Sequence, residues 1–177
     1  MIEIYTDGSA KNNGAIDSCG GFGVCAMMQD KEAKAGYRIL KLASKQEQGV
    51  TNNQMELKSL LYALHLAQTL YSYDLCIIRS DSAYCVNTFN SWLQSWQSHG
   101  WTRSNNKPIE NLDLIKQLYE YKKINYPNFR VERISGHVGE LGNEIADALA
   151  TDNRAKLEKI FYYNDINPVE IENIDSQ

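Results

Sequence analysis

Ile2-Glu3-Ile4-Tyr5-Thr6-Asp7-Gly8-Ser9 opens this 177-residue chain, and its reading decides the fold. Ile2 and Ile4 fall on one face and Glu3 and Tyr5 on the other, the period of a half-buried strand. The strand is predicted to stop on Asp7, with Gly8 allowing a sharp turn away. A carboxylate at the end of a central strand, beside a glycine, faces a ligand more readily than a core.

A second stretch has the same ending. Asp74-Leu75-Cys76-Ile77-Ile78-Arg79-Ser80-Asp81 is short and mostly apolar and follows a helical segment, so it is predicted to lie buried and parallel to an earlier strand. If it neighbours the first strand, Asp7 and Asp81 sit at one sheet edge, about 5 Å apart. Open α/β sheets bind ligands at the carboxyl ends of their strands, where the strand order reverses. Adjacent carboxylates repel and raise each other's pKa unless a cation lies between them.

Around these two strands the chain reads as one α/β domain. Gly20–Met28 and Tyr37–Leu42 continue an antiparallel meander from the first strand. Leu57, Leu60, Leu61, Leu64 and Ala67 give the next helix an apolar face, with Asn53 as its expected cap and Glu56 at capping-box spacing. On spacing alone Glu56 is a helix-start carboxylate. Ser82–Asn90 is predicted as a short helix. Between Asn90 and Lys107 three tryptophans (Trp92, Trp96, Trp101) stand among polar residues; Trp92 and Trp96 share a helix face, either as core anchors or as a stacking surface for bases. Pro108–Lys123 is a further amphipathic helix and Phe129–Ile134 a last strand. Ser135–Glu144 is a glycine-rich loop carrying His137, and Asn143–Asp152 is a helix with Asp147 mid-way. Taken singly, His137 is a solvated loop side chain and Asp147 a surface aspartate. The acidic tail from Phe161 to Gln177 packs through Phe161, Tyr162 and Tyr163 or is loose.

Composition narrows the function classes. Hydrophobic residues make up 43%, enough for a core. No apolar run reaches the ~18 residues of a membrane helix, and the chain opens directly on a strand, so neither membrane span nor leader is expected. Cys19, Cys25, Cys76 and Cys85 are scattered without a C-x-x-C pair and read as reduced, which points to the cytoplasm. No Cys/His cluster suits zinc. The net charge of −4 is awkward for a nucleic-acid binder but natural for a protein that gathers carboxylates around divalent cations.

Taken together, Thr6-Asp7-Gly8-Ser9, Thr51-Asn52-Asn53-Gln54-Met55-Glu56-Leu57, Ser80-Asp81-Ser82, the Trp92–Pro108 stretch, Gly136-His137 with Asn143-Glu144, and Asp147 resemble the type 1 ribonuclease H family in order and spacing. The resemblance covers roughly residues 1–155, leaving 156–177 as a C-terminal extension. It implies a five-stranded mixed sheet, three strands antiparallel and two parallel to the first, with helices on both faces. It implies endonucleolytic hydrolysis of the RNA strand of an RNA–DNA hybrid to 5′-phosphate and 3′-hydroxyl ends, by a monomer using two Mg²⁺ ions, with Mn²⁺ as a substitute. Asp7, Glu56, Asp81 and Asp147 match the family's metal ligands, and His137 its loop histidine. Gly8, Ser9, Asn13, Thr51, Asn52 and Asn111 match contacts to the hybrid, and Trp92 and Trp96 the helix that lies against the DNA strand.

The chain departs from that pattern where substrate is bound. Gln94, Gln97, Ser98 and His99 occupy a protrusion usually rich in lysine and arginine, leaving Arg103 and Lys107 nearby. Gln54 and Ile115 replace an arginine and a tryptophan of some members. Weak, salt-sensitive hybrid binding is therefore expected. The competing readings are a catalytically silent nucleic-acid-binding domain and a different metal nuclease on the same fold. The first has no need of four carboxylates, and the second lacks the Thr-Asn-Asn-x-Met-Glu helix start.

Overall fold

The computed structural model describes residues 1–13, 15–70, 75–105, 107–124, 129–136 and 139–174. Six strands form one sheet: β1 (Ile2–Lys11), β2 (Cys19–Gln29), β3 (Tyr37–Gln48), β4 (Cys76–Ser80), β5 (Phe129–Arg133) and β6 (Ile171–Asn173), in the order β5-β4-β1-β2-β3-β6. β1, β2 and β3 pair antiparallel, while β4 lies parallel to β1 and β5 parallel to β4. These are the five strands the sequence predicts. The sixth, β6, adds in parallel to the outer edge of β3, with Ile171 opposite Leu42. A sheet edge left open invites pairing with other chains, and β6 covers part of this one.

The alternation read in β1 sets the two layers. Ile2 and Ile4 join Phe22, Val24 and Ala26 in a core roofed by α1 (Asn52–Leu70), by a helical segment from Ala83 to Ser98, and by α4 (Leu112–Ile124). That segment runs as α2 (Ala83–Asn87), a π-helical turn (Thr88–Trp92) and α3 (Leu93–Ser98). On the opposite face Tyr5, Cys25, Met27 and Leu42 meet α5 (Leu141–Ala150) and α6 (Arg154–Asn164). Cys25, Cys76 and Cys85 are buried and Cys19 is exposed.

The C-terminal helix forms for local reasons. Asn153 caps it, its side-chain oxygen accepting from the Lys156 backbone N–H at 3.0 Å. Leu157, Ile160 and Phe161 follow at helical spacing and drop into the second core. Tyr162 and Tyr163 point outward, stacked edge to face on each other. Among the described residues no helix is long and apolar enough to cross a membrane.

Strand β1 differs from the sequence reading. It runs past Asp7 to Lys11, because β2 offers an antiparallel partner along its whole length. What ends near Asp7 is the parallel ladder: the β1–β4 register closes at Thr6 opposite Ser80. Asp7 and Asp81 are thus the first residues beyond a shared ladder, at the point where the chain order reverses between β2 on one side and β4 on the other. Gly8 makes no turn. It is a site of close approach.

Candidate active site

Four segments meet at the carboxyl end of the β1–β4 ladder. The first two deliver Asp7 and Asp81. The third is the start of α1, where a capping box is present but not as predicted. Thr51 Oγ1 accepts from the Gln54 N–H at 3.2 Å, and Gln54 Oε1 accepts from the Thr51 N–H at 2.8 Å. With Thr51 and Gln54 closing the helix end, neither Asn53 nor Glu56 is needed there. A Cβ on Gly8 would lie 2.2 Å from the Glu56 backbone nitrogen, so only glycine lets α1 approach β1 closely enough to bring Glu56 in.

Asp7, Glu56 and Asp81 each place a carboxylate oxygen within 4.8 Å of the others. Burial, then Asp81 and Asp147, push the Asp7 carboxyl up to about 7, while Lys156 and a Gly8 backbone hydrogen bond pull the other way. Burial, then Asp7 and Asp81, push Glu56 up to about 9. Glu56 Oε2 is buried with no hydrogen-bond partner among the described residues. An orphaned buried oxygen amid mutually repelling carboxylates is costly unless a cation completes it. The donors are all oxygen, as a hard divalent cation requires.

The fourth predicted ligand stands beside this group, not in it. A Cβ on Gly23 would lie 2.1 Å from the Ala146 carbonyl oxygen, so α5 packs directly on β2 there. Gly23 is the cross-strand partner of Asp7, and Asp147 is the next residue of α5. Asp147 is near enough for its charge to act on Asp7, but its Oδ2 is hydrogen-bonded to Lys156 Nζ. His137 lies outside the described residues. Its neighbour Gly136 passes over the site, where a Cβ would come within 2.9 Å of Asp81 Oδ2.

The residues expected to touch substrate spread away from the carboxylates. Asn13 Oδ1 accepts from the Asn52 N–H at 2.8 Å, and Asn52 Oδ1 accepts from the Ala10 N–H at 3.2 Å, tying the loop after β1 to α1. Gly8 and Ser9 lie on β1 just beyond Asp7. Asn13, Thr51, Asn53, Glu110 and Asn111 line a cavity of about 320 Å³. Trp92 and Trp96, with ring centroids 5.5 Å apart, line another of about 600 Å³ together with Asn53, Tyr84, His99 and Arg103. Trp101 packs edge to face on Tyr119 at 5.4 Å, a structural role. The sequence gives no sign of Lys156, nine residues beyond Asp147 and past a turn, nor of Tyr84 and Glu110, which only the tertiary fold brings to the cavities.

This geometry accords with comparison to known proteins. The family profile described as RNase H matches residues 1–155. The chain belongs to the RNase H family. It is 35% identical over 150 residues to the ribonuclease H of Ruthia magnifica, covering 84% of this chain and 92% of that one. It is 34% identical over 152 residues to the ribonuclease HI of Pasteurella multocida, covering 85% and 87%. The crystal structure of LC9-RNase H1, a type 1 RNase H with the type 2 active-site motif, aligns with a TM-score of 0.68 at 27% identity, over 84% of this chain and 69% of that one. The solution structure of the PFV RNase H domain aligns with a TM-score of 0.72 at 23% identity, over 87% and 94%, and supports the fold. Ribonuclease H activity, hydrolysis of the RNA strand of an RNA–DNA hybrid, follows from this membership. The family uses divalent metals, and the acidic cluster fits them.

Proposed function

We propose that Asp7, Glu56 and Asp81, joined by Asp147 once it leaves Lys156, hold a pair of Mg²⁺ ions, with Mn²⁺ able to substitute. The observation that carries this is the convergence of three carboxylates within 4.8 Å around a buried, unpartnered Glu56 oxygen. When bound, such ions neutralise the scissile phosphate and supply an activated water. The protein's own contribution is positioning. The β1–β4 ladder fixes Asp7 and Asp81, Gly8 admits α1, and Gly23 admits α5. The products are a 5′-phosphate and a 3′-hydroxyl, and His137 assists proton transfer or product release.

Substrate choice rests on shape and on the 2′-hydroxyl that a hybrid displays across its minor groove. Gly8, Ser9 and Asn52 read that groove next to the cluster. Asn13, Thr51 and Asn111 hold a DNA-strand phosphate in the smaller cavity, and Trp92 and Trp96 offer the DNA strand a stacking surface. The protein acts as a monomer in the cytoplasm.

The test is incubation with Mg²⁺ and three duplexes, RNA–DNA, DNA–DNA and RNA–RNA, each labelled on one strand. Cleavage confined to the RNA of the hybrid is expected. Cleavage of DNA, or of nothing, contradicts the proposal.

A further inference from the structure

Lys156 belongs to α6, which begins at the border of the family match at residue 155. Its position is fixed from three directions. The Asn153 side chain caps its backbone N–H, the Asn153 N–H donates to the Ala148 carbonyl at 2.8 Å, and Leu157 beside it is buried in the second core. From this fixed backbone position the ammonium reaches Asp147 Oδ2 at the margin of the carboxylate cluster. Its charge also reaches Asp7. The pair is accessible: the Lys156 side chain is 38% exposed and that of Asp147 24%. The lysine stem is flexible, so a stronger cation can compete for the same oxygen.

We infer that Lys156 is a built-in counter-ion that holds Asp147 outside the carboxylate cluster and must be displaced before Asp147 can serve a divalent cation. This deepens the metal-site reading and rests on it. The C-terminal extension thus tunes the metal concentration at which the enzyme loads. Lys156 is a positioning residue acting through Asp147. Its ammonium competes with divalent cations for one carboxylate, so metal affinity is set below what the bare cluster would give.

The experiment is calorimetric titration of Mg²⁺ and Mn²⁺ into the full chain, with melting temperature recorded in parallel without metal and at saturation. Lys156→Gln should bind metal about five- to tenfold more tightly, reflecting the loss of one competing charge in a partly screened site. Its metal-free melting temperature should fall and its gain on adding metal should exceed that of the wild type. Lys156→Arg, which keeps the charge, should restore wild-type affinity. In an Asp147→Asn background, Lys156→Gln should change affinity clearly less than it does alone, because the lysine then withholds no ligand and only its charge on Asp7 remains. Equal affinities for wild type and Lys156→Gln, while Asp7→Asn abolishes binding, would overturn the counter-ion role and leave the metal site standing. Failure of the wild type to bind either metal would overturn both.

Discussion

The carboxylate cluster and the tryptophan-lined cavity are built on opposite principles. The cluster is small and largely buried, with positions fixed by backbone: Asp7 and Asp81 just beyond one parallel ladder, Glu56 on a helix that rests on Gly8, and Asp147 beside them on a helix that rests on Gly23. The cavity is about 600 Å³, open, and lined by side chains of a helical segment whose π-turn and exposed Trp92 leave its geometry to side-chain packing. Its positive charge is thin, since Arg103 is paired with Glu110 at 3.3 Å. The contrast makes rate and affinity separable expectations: the carboxylates are pre-organised by the sheet, whereas a cavity with so little free positive charge should grip the hybrid weakly.

The largest effect belongs to the cluster. Asp7→Asn should lower turnover by about 10³-fold or more, since it removes a charge that pre-organised electrostatics depends on. Far-ultraviolet circular dichroism should be unchanged. If turnover survives while hybrid binding collapses, the division between the two regions is wrong.

In the cavity, Trp92→Ala should weaken hybrid binding about tenfold, the scale of one lost base–aromatic stack, with kcat altered less than about twofold. Fluorescence anisotropy with a non-cleavable hybrid and steady-state kinetics separate the two. A fall in kcat larger than the rise in Kd would merge the regions.

The cluster should also show itself in pH. Asp7 and Glu56 have folded-state pKa values raised to about 7 and about 9 from ordinary values of 3.8 and 4.5. For acids raised in this way the native state binds more protons than the unfolded one across that window. Their destabilising contribution is absent below the ordinary values, grows as pH rises, and is complete above the raised ones. Metal-free wild type should therefore lose melting temperature relative to Asp7→Asn as pH rises from about 4 to about 7, with the difference level above that. Divalent metal should remove the difference. A flat difference across that range would mean the carboxylates are not strained together.

The smallest effect sharpens the cavity side. Glu110→Gln frees Arg103 from an exposed ion pair worth little in itself and removes a negative charge from both cavities. Hybrid binding should tighten about two- to threefold at low salt, with the gain fading as salt screens it. Unchanged binding would mean the hybrid does not run past Glu110.

Legibility in the sequence follows the same division. Ile2, Ile4 and Tyr5 announce the two faces of β1, and the aspartates after two similar apolar runs announce Asp7 and Asp81, although β1 itself runs on past Asp7 because its β2 partner cannot be read locally. The capping box is misread by two residues because Asn53 and Glu56 have the right spacing. Which pair closes the helix depends on where Gly8 allows α1 to sit. β6 is invisible because three residues, Ile-Glu-Asn, carry no pattern, and their pairing is supplied by the exposed edge of β3. Lys156 is hidden for a related reason: its link to Asp147 crosses from one helix to the next through a turn, a spacing no helical rule foresees.

The most direct measurement is a crystal soaked in Mn²⁺ with data collected at the manganese edge. Anomalous density bounded by Asp7, Glu56 and Asp81 is expected, with Asp147 turned from Lys156 toward it. Strong density elsewhere, with none among these three carboxylates, would contradict this metal site.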